Sequence, residues 1–140
     1  MKKIALFSLL VCCFYLSGCS KDAEINTFIT EFDATTNEIV QKIDANPTSA
    51  GVDEAQKAFD AKKASLTAKW DAIKDAVGMQ VSEDAKKKLK DSVEKNMKAL
   101  VDVSTKNMMK LAADRAALTK FQALMKDFQA TFTPPSGSAK

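Results

Sequence analysis

The longest segment of the chain without a glycine or a proline includes all of residues 82–132. Apolar or small side chains recur in it every seven residues, at Met97, Ser104, Leu111, Leu118, Met125 and Phe132. This spacing predicts an amphipathic helix with one face turned towards a core. Acids also precede lysines by four positions, at Glu83/Lys87, Asp84/Lys88, Asp91/Lys95, Glu94/Lys98 and Asp102/Lys106. Such pairs are expected to support a helix.

One helix over residues 82–132 would be ~75 Å long, which is about twice the length of either helix predicted before it. Three arrangements resolve this mismatch. The segment can break near residues 101–105, where β-branched and capping residues cluster, and form a compact up-and-down four-helix bundle. It can stay straight beside two helices placed end to end, or stay straight and bury its free half in a second copy. We favour the compact bundle.

The first helix is predicted to begin at Asp22, interpreted as its N-cap, and to end at Ala45. Pro47 stops it, because the residue before a proline disfavours helical geometry. Its apolar side chains alternate at spacings of three and four and form one stripe. Residues 47–51 are expected to be a loop.

The second helix is predicted to be capped by Asp53 and to reach Val77, where Gly78 supplies the left-handed residue that ends many helices. Ser82 is the predicted N-cap of the next helix. The fold class is therefore all-α: an antiparallel bundle of three to four amphipathic helices over residues 22–132, with the last segment either divided or one long helix. The composition of residues 133–140 is typical of a flexible tail.

The beginning of the chain has the composition of an export signal. A basic start, Met1-Lys2-Lys3, precedes an apolar stretch at residues 4–16 that is too short to span a bilayer of roughly 30 Å. The stretch ends in Leu16-Ser17-Gly18-Cys19, which resembles the lipobox of bacterial lipoproteins.

This resemblance implies that residues 1–18 are a cleaved signal peptide and that Cys19 becomes the first residue of the mature protein. Its thiol would carry diacylglycerol and its amino group an acyl chain such as palmitate, with residues 19–21 as a short tether to the membrane. In enteric lipoproteins, an aspartate after the cysteine retains the protein at the inner membrane. Ser20 stands there, which implies the inner leaflet of the outer membrane, facing the periplasm.

The charge and the residue types argue against several classes of function. Loss of Lys2 and Lys3 with the signal lowers the basic residues from 21 to 19, against 18 acidic residues. Such a balance does not favour nucleic acid as a partner. The chain has no histidine, and Cys19 would be the only mature cysteine, so we expect no disulfide, metal site or cofactor. With no phosphate loop or nucleophile elbow either, we expect no enzyme.

Four further patterns have a structural interpretation that we prefer. Residues 22–44 are acidic and residues 83–126 basic, which predicts that the first helix packs beside the last segment. Trp70 lies in an apolar row and is expected in the core. Four methionines could form an adaptable binding groove, but core filling is the simpler interpretation of Met97, Met108, Met109 and Met125. The lysine-rich run at residues 86–90 is expected to be solvated.

The leading hypothesis is a lipid-anchored envelope protein whose helical domain binds another protein or itself. A bundle that carries or senses a small apolar ligand is the alternative, and an enzyme that uses carboxylates is the third hypothesis. Lys140 follows the predicted tail, and a terminal lysine after helical heptads resembles Braun's lipoprotein. That resemblance implies a minor alternative, in which the Lys140 side chain is joined to peptidoglycan.

Overall fold

The structure is a computed structural model that describes residues 21–74 and 81–132. These residues form an all-α bundle, as predicted: α1 (Asp22–Ala45), α2 (Ser49–Ile73), α3 (Glu83–Lys106), α4 (Met108–Ala113) and α5 (Arg115–Phe132). Several predictions lie outside the described residues: the signal peptide, the lipobox with Cys19, the helix end at Val77 and Gly78, and the tail with Lys140.

Consecutive long helices run in opposite directions, so the bundle is of the up-and-down type. Helices α1 and α2 form a hairpin around residues 46–48. Helix α3 lies beside α1 and parallel to it, because Asp33 contacts Asn96 while Asp44 contacts Asn107. Helix α5 lies beside α2 and parallel to it, because Ser49 and Lys63 contact Asp114 and Asp127 respectively.

We name the two ends of the bundle by the residues that they contain. The start end holds the first residues of α1 and α3 and the last residues of α2 and α5. The turn end holds the connections at residues 46–48 and 107–114. The backbone N–H of Ser82 donates to the carboxylate of Asp22 at 3.0 Å, which brings the beginnings of α1 and α3 together at the start end.

The break in the long segment was predicted near residues 101–105, and that position is wrong. The β-branched residues there continue α3, and the helix is interrupted at Asn107 and again at Asp114. The side-chain amide of Asn107 donates to the carbonyl of Val103 and to Asp44. Asp114 has an extended backbone with ψ near 95°, and its carboxylate caps α5 through the N–H of Ala117. The two interruptions exclude a straight helix over residues 82–132.

The predicted beginning of α2 at Asp53 is also wrong, since the helix begins at Ser49. Gly51 therefore lies in the first turn of α2 and not in a loop. A Cβ at Gly51 would be 1.8 Å from the carbonyl oxygen of Asn46. Only glycine permits this close approach, which lets the helix begin immediately after the α1–α2 connection.

The predicted caps of the other two helices have different outcomes. Lys21 and not Asp22 is the N-cap of α1, and Asp22 is the first helical residue. An aspartate in the first turn interacts favourably with the helix dipole, so the residue favours the helix start without capping it. The prediction for Ser82 is confirmed, because its hydroxyl accepts a hydrogen bond from the N–H of Ala85 at 3.1 Å.

The core has an aromatic region towards the start end and an aliphatic region towards the turn end. Trp70 is buried, as predicted. The ring of Phe132 lies within 6.3 Å of the five other rings of an aromatic cluster, formed by Phe28, Phe32, Phe59, Trp70 and Phe128. Aliphatic side chains fill the region towards the turn end, including Ile39, Ile43, Val52, Leu100, Val103 and Leu111.

Candidate functional site

The predicted site residues, Leu16, Ser17, Gly18, Cys19 and Lys140, are outside the described part of the chain. The described residues begin at Lys21, the last residue of the predicted tether. The backbone N–H of Ile25 donates to the carbonyl of Lys21, and the ammonium of Lys21 pairs with Glu24 at 2.8 Å. Regular helix therefore begins at Asp22, two residues beyond Ser20.

Helix α1 presents aspartates at intervals of eleven residues to α3, at Asp22, Asp33 and Asp44. Eleven residues are just over three helical turns, so the three carboxylates lie along one edge of the helix. Each accepts a hydrogen bond from α3 or from the residue that caps it. We call this row of contacts the aspartate ladder.

Asp33 occupies the middle of the aspartate ladder. Its Oδ1 accepts hydrogen bonds from the hydroxyl of Ser92 at 2.8 Å and from the amide of Asn96 at 2.5 Å, and its Oδ2 accepts one from Lys95 at 2.8 Å. Partial burial disfavours ionisation, but the donors from Lys95, Asn96 and Ser92 outweigh it and lower the pKa of Asp33 below its ordinary 3.8. The carboxylate is thus held in its charged form.

Asp44 repeats the same arrangement one interval later. Its Oδ2 accepts from Lys106 at 2.7 Å and its Oδ1 from Asn107 at 3.1 Å. The hydrogen bond from Lys106 is the main cause of a lowered pKa for Asp44, and Asn107 adds to it. Two Lys-Asn pairs on α3 and its cap therefore match two aspartates on α1 with the same separation of eleven residues.

Some lysines of α3 that were predicted to pair with acids of their own helix pair with the aspartate ladder instead. Of the five acid-lysine pairs predicted within α3, the described structure forms Asp84–Lys88. Lys95 and Lys106 instead bind aspartates of α1. The prediction that the acidic first helix packs beside the basic last segment is confirmed. The lysine-rich run at residues 86–90 makes pairs within its own helix, as expected of a solvated face.

Ion pairs between side chains also join α1 to α2 and α2 to α5. Lys69 of α2 donates to Glu31 of α1, and this hydrogen bond is the largest cause of a lowered pKa for Glu31. Lys63 pairs with Asp127 at 2.5 Å, and Lys120 pairs with Asp53 at 2.5 Å. The carboxylates between helices are therefore engaged by lysines, an arrangement that suits packing rather than proton transfer.

The turn end exposes apolar side chains beside the break at Asn107. Met109 is 87% exposed and Met108 is 51% exposed. The core-filling interpretation is therefore wrong for these two methionines, whereas Met97 and Met125 pack against the core as predicted. Met109 lies two residues before the buried Leu111 in the same helix and therefore on its opposite side, so its exposure follows from the position of Leu111.

Two surface grooves have volumes of about 260 and 570 Å³. The first lies between α1 and α2, and its lining is Ala23, Glu24, Thr27, Lys69 and Ala72. The second lies on α2 and is lined by Asp60, Lys63, Ala64, Thr67, Ala68 and Asp71. Neither lining includes a core aromatic residue. The rings of the aromatic cluster belong to the buried core near the start end.

Within residues 21–74 and 81–132, no group of three or more Cys, Asp or Glu residues could hold a metal ion. In the same part of the chain, no helix combines the length and the apolar character that a membrane span requires. Comparison with family models, with curated proteins and with solved structures found no match.

Proposed function

We propose that this chain is a lipid-anchored protein of the bacterial envelope whose helical domain binds another protein. The sequence Leu16-Ser17-Gly18-Cys19 carries the proposal, because it resembles the lipobox and lies just before the first helix. The basic start and the apolar stretch precede the lipobox, and the tether and the bundle come after it. This is the order that a lipid-anchored protein needs.

The anchor would orient the bundle. Two residues separate Cys19 from Asp22, so the start end would lie against the membrane and the turn end would point away from it. Helix α1 has 24 residues and is about 36 Å long at the usual rise of 1.5 Å per residue. The turn end would therefore reach about that distance into the periplasm, where other envelope proteins are accessible.

A binding role fits the described side chains better than catalysis. Asp33, Asp44 and Asp114 are each held by donors from a neighbouring helix or from the backbone, and the pKa of each is lowered. A general base or acid needs a pKa nearer to neutrality. The exposed methionines at the turn end, by contrast, offer an apolar surface of the kind that adapts to a protein partner.

Metabolic labelling with palmitate tests the anchor. The natural chain and the variant Cys13→Ala, which removes another cysteine of the signal, are expected to take up label and to sediment with membranes. Cys19→Ala is expected to lose the label, because no thiol remains at the lipobox position. Label retained in Cys19→Ala, or absent from the natural chain, would overturn the proposed anchor.

Membrane fractionation in an enteric host tests the location. The natural chain, with Ser20, is expected in the outer membrane, and Ser20→Asp is expected to move it to the inner membrane. Recovery of both proteins in the same fraction contradicts the sorting proposal. Muropeptide mass spectrometry tests the minor alternative, since attachment through Lys140 requires an Ala139-Lys140 remnant on the peptidoglycan.

A further inference from the structure

Few side chains in the described part of this chain can be oxidised. Two-electron oxidants react first with the sulfur of cysteine and methionine, and more slowly with the rings of tryptophan, tyrosine and histidine. The chain has no histidine. Its cysteines and its tyrosine come before the described residues, at Cys12, Cys13, Cys19 and Tyr15. Within residues 21–74 and 81–132, the oxidisable side chains are therefore one tryptophan and four methionines.

Two of these five side chains are at least half exposed to solvent. Met109 is 87% exposed and Met108 is 51% exposed. Trp70 is 5% exposed, and Met97 and Met125 pack against the core. A small oxidant in solution can therefore reach the sulfur atoms of Met108 and Met109 directly, whereas neighbouring side chains restrict its access to the other three. We call Met108 and Met109 the methionine pair.

The fold can accept a polar group at the methionine pair. Oxidation converts the apolar thioether into a polar sulfoxide, which disrupts a core but is hydrated on a surface. The residues that attach α4 to the bundle contain no oxidisable atom: Leu111 is fully buried, and the amide of Asn107 donates to Asp44 at 3.1 Å. Oxidation of the methionine pair therefore leaves these contacts in place.

We propose that the methionine pair is a reversible oxidation site that consumes hydrogen peroxide. A lone pair of the thioether sulfur attacks one peroxide oxygen, the O–O bond breaks, and a proton passes to the departing hydroxide to form water. The sulfur loses two electrons and gains the oxygen, and the peroxide is reduced. A methionine sulfoxide reductase reverses the step with two thiols, which are oxidised to a disulfide while the oxygen leaves as water.

This inference goes beyond the proposed function, because it requires neither the lipid anchor nor a partner protein. Its test uses the full chain as the cell produces it, held in nanodiscs of dimyristoylphosphatidylcholine, a lipid without double bonds that an oxidant could attack. Hydrogen peroxide is the probe, and mass spectrometry of peptides follows the gain of oxygen at each methionine. We expect the rate constant at Met109 to be at least about fivefold greater than those at Met97 and Met125.

Urea provides the control for exposure. In the unfolded chain, the rate constants at the four methionines should lie within about twofold of one another, because each sulfur is then open to solvent. Two variants of similar side-chain volume control for position. Met97→Leu/Met125→Leu should leave the rate constant at Met109 within about twofold of its value in the natural chain. Met108→Leu/Met109→Leu should abolish the fast oxidation of peptides from residues 81–132.

The consequences of oxidation are measured on protein in which only the methionine pair has reacted. Its melting temperature should change by less than about 3 °C. The two epimer-specific methionine sulfoxide reductases, supplied with dithiothreitol, should restore the unoxidised mass, because both sulfoxides are accessible.

Equal or slower oxidation at Met109 than at Met97 and Met125 in the folded protein would overturn the proposal. So would a larger fall in melting temperature, or a mass that the reductases do not restore. None of these outcomes alters the palmitate-labelling result, so the oxidation site and the anchor can fail separately.

Discussion

The carboxylate of Asp33 accepts a hydrogen bond from the side-chain amide of Asn96 at 2.5 Å and so joins α1 to α3 across 63 positions of sequence. Asp44 and Asn107 make the equivalent contact with the same separation of 63. Because both pairs shift together by eleven residues, they fix the parallel register of the two helices. A displacement of α3 by one turn would break both contacts at once.

Replacement of Asp33 by alanine is expected to destabilise the bundle by about 1–3 kcal/mol, because Ser92, Lys95 and Asn96 lose a charged acceptor. Urea unfolding followed by circular dichroism measures the change. Asp91→Ala is the control, since Asp91 is an exposed acid of α3 and its loss should cost less than about 0.5 kcal/mol. Equal losses in the two variants would show that the ladder contributes nothing specific.

The pH dependence of stability should differ between the natural chain and Asp33→Asn. Folding lowers the pKa of Asp33 from its ordinary 3.8, so the carboxylate contributes its full stabilisation above that value. As the pH falls below it, the unfolded chain takes up the proton first and the contribution is lost. The stability difference between the two proteins should therefore shrink between about pH 4 and about pH 2 in urea titrations. A difference that stays constant or widens over that range contradicts the assignment.

Removal of the hydroxyl group of Thr36 is expected to stabilise the folded protein. Its hydroxyl oxygen is buried and has no hydrogen-bond partner among the described residues. Thr36→Val keeps the shape and is expected to stabilise the protein by about 1 kcal/mol in thermal or urea unfolding. The adjacent Thr35 is the matched control, because its hydroxyl donates to the carbonyl of Glu31 at 2.8 Å. Thr35→Val should be neutral or destabilising, and the reverse order of the two variants would count against this interpretation.

Gly51→Ala is expected to destabilise the protein by about 1–3 kcal/mol, although alanine is the better helix former. The added Cβ would meet the carbonyl of Asn46, a backbone group that cannot rotate away. At the exposed neighbour, Ala50→Gly should cost only about 0.5–1 kcal/mol through the greater freedom of the unfolded chain. Denaturant midpoints of both variants decide the matter, and an increase in stability for Gly51→Ala would refute the close approach.

Phe132→Ala is expected to cost about 3–5 kcal/mol, because its ring contacts every other member of the aromatic cluster. Met109→Ala removes a large apolar side chain that is 87% exposed and should change stability by less than about 0.5 kcal/mol. Calorimetry on both variants tests the contrast. Comparable losses would mean that the last residue of α5 is not part of the core.

The predictions made from sequence succeeded where the cause is local. Apolar spacing indicated the helices, and Ser82 has the side chain that a cap needs, so both could be inferred without knowing which residues pack against them. The break at Asn107 could not, because it depends on Asp44 from a distant part of the chain. The beginning of α2 likewise depends on how closely Gly51 approaches Asn46.

The prediction for Cys19 depends on four adjacent residues that resemble a lipobox, and it stays a prediction because Cys19 lies outside the described residues. The exposure of Met109 could also have been predicted, because it lies two residues before Leu111 of the seven-residue row and therefore on the opposite side of the helix. The choice of Lys95 and Lys106 between acids of α3 and acids of α1 could not, because both choices satisfy the local pattern.

The parallel register of α1 and α3 also sets an order of events during synthesis. A chain emerges from the ribosome N-terminus first, so Asp33 and Asp44 appear about sixty residues before the side chains that bind them. The α1–α2 hairpin can form early, but the aspartates on its edge stay exposed to solvent until α3 has been synthesised. Bringing α3 to α1 closes a loop of about sixty residues, and the loss of conformational entropy opposes this step. The final bundle therefore forms only when nearly all of the chain is present. For the exported protein that we propose, a delay of this kind would keep the chain unfolded while it is being synthesised.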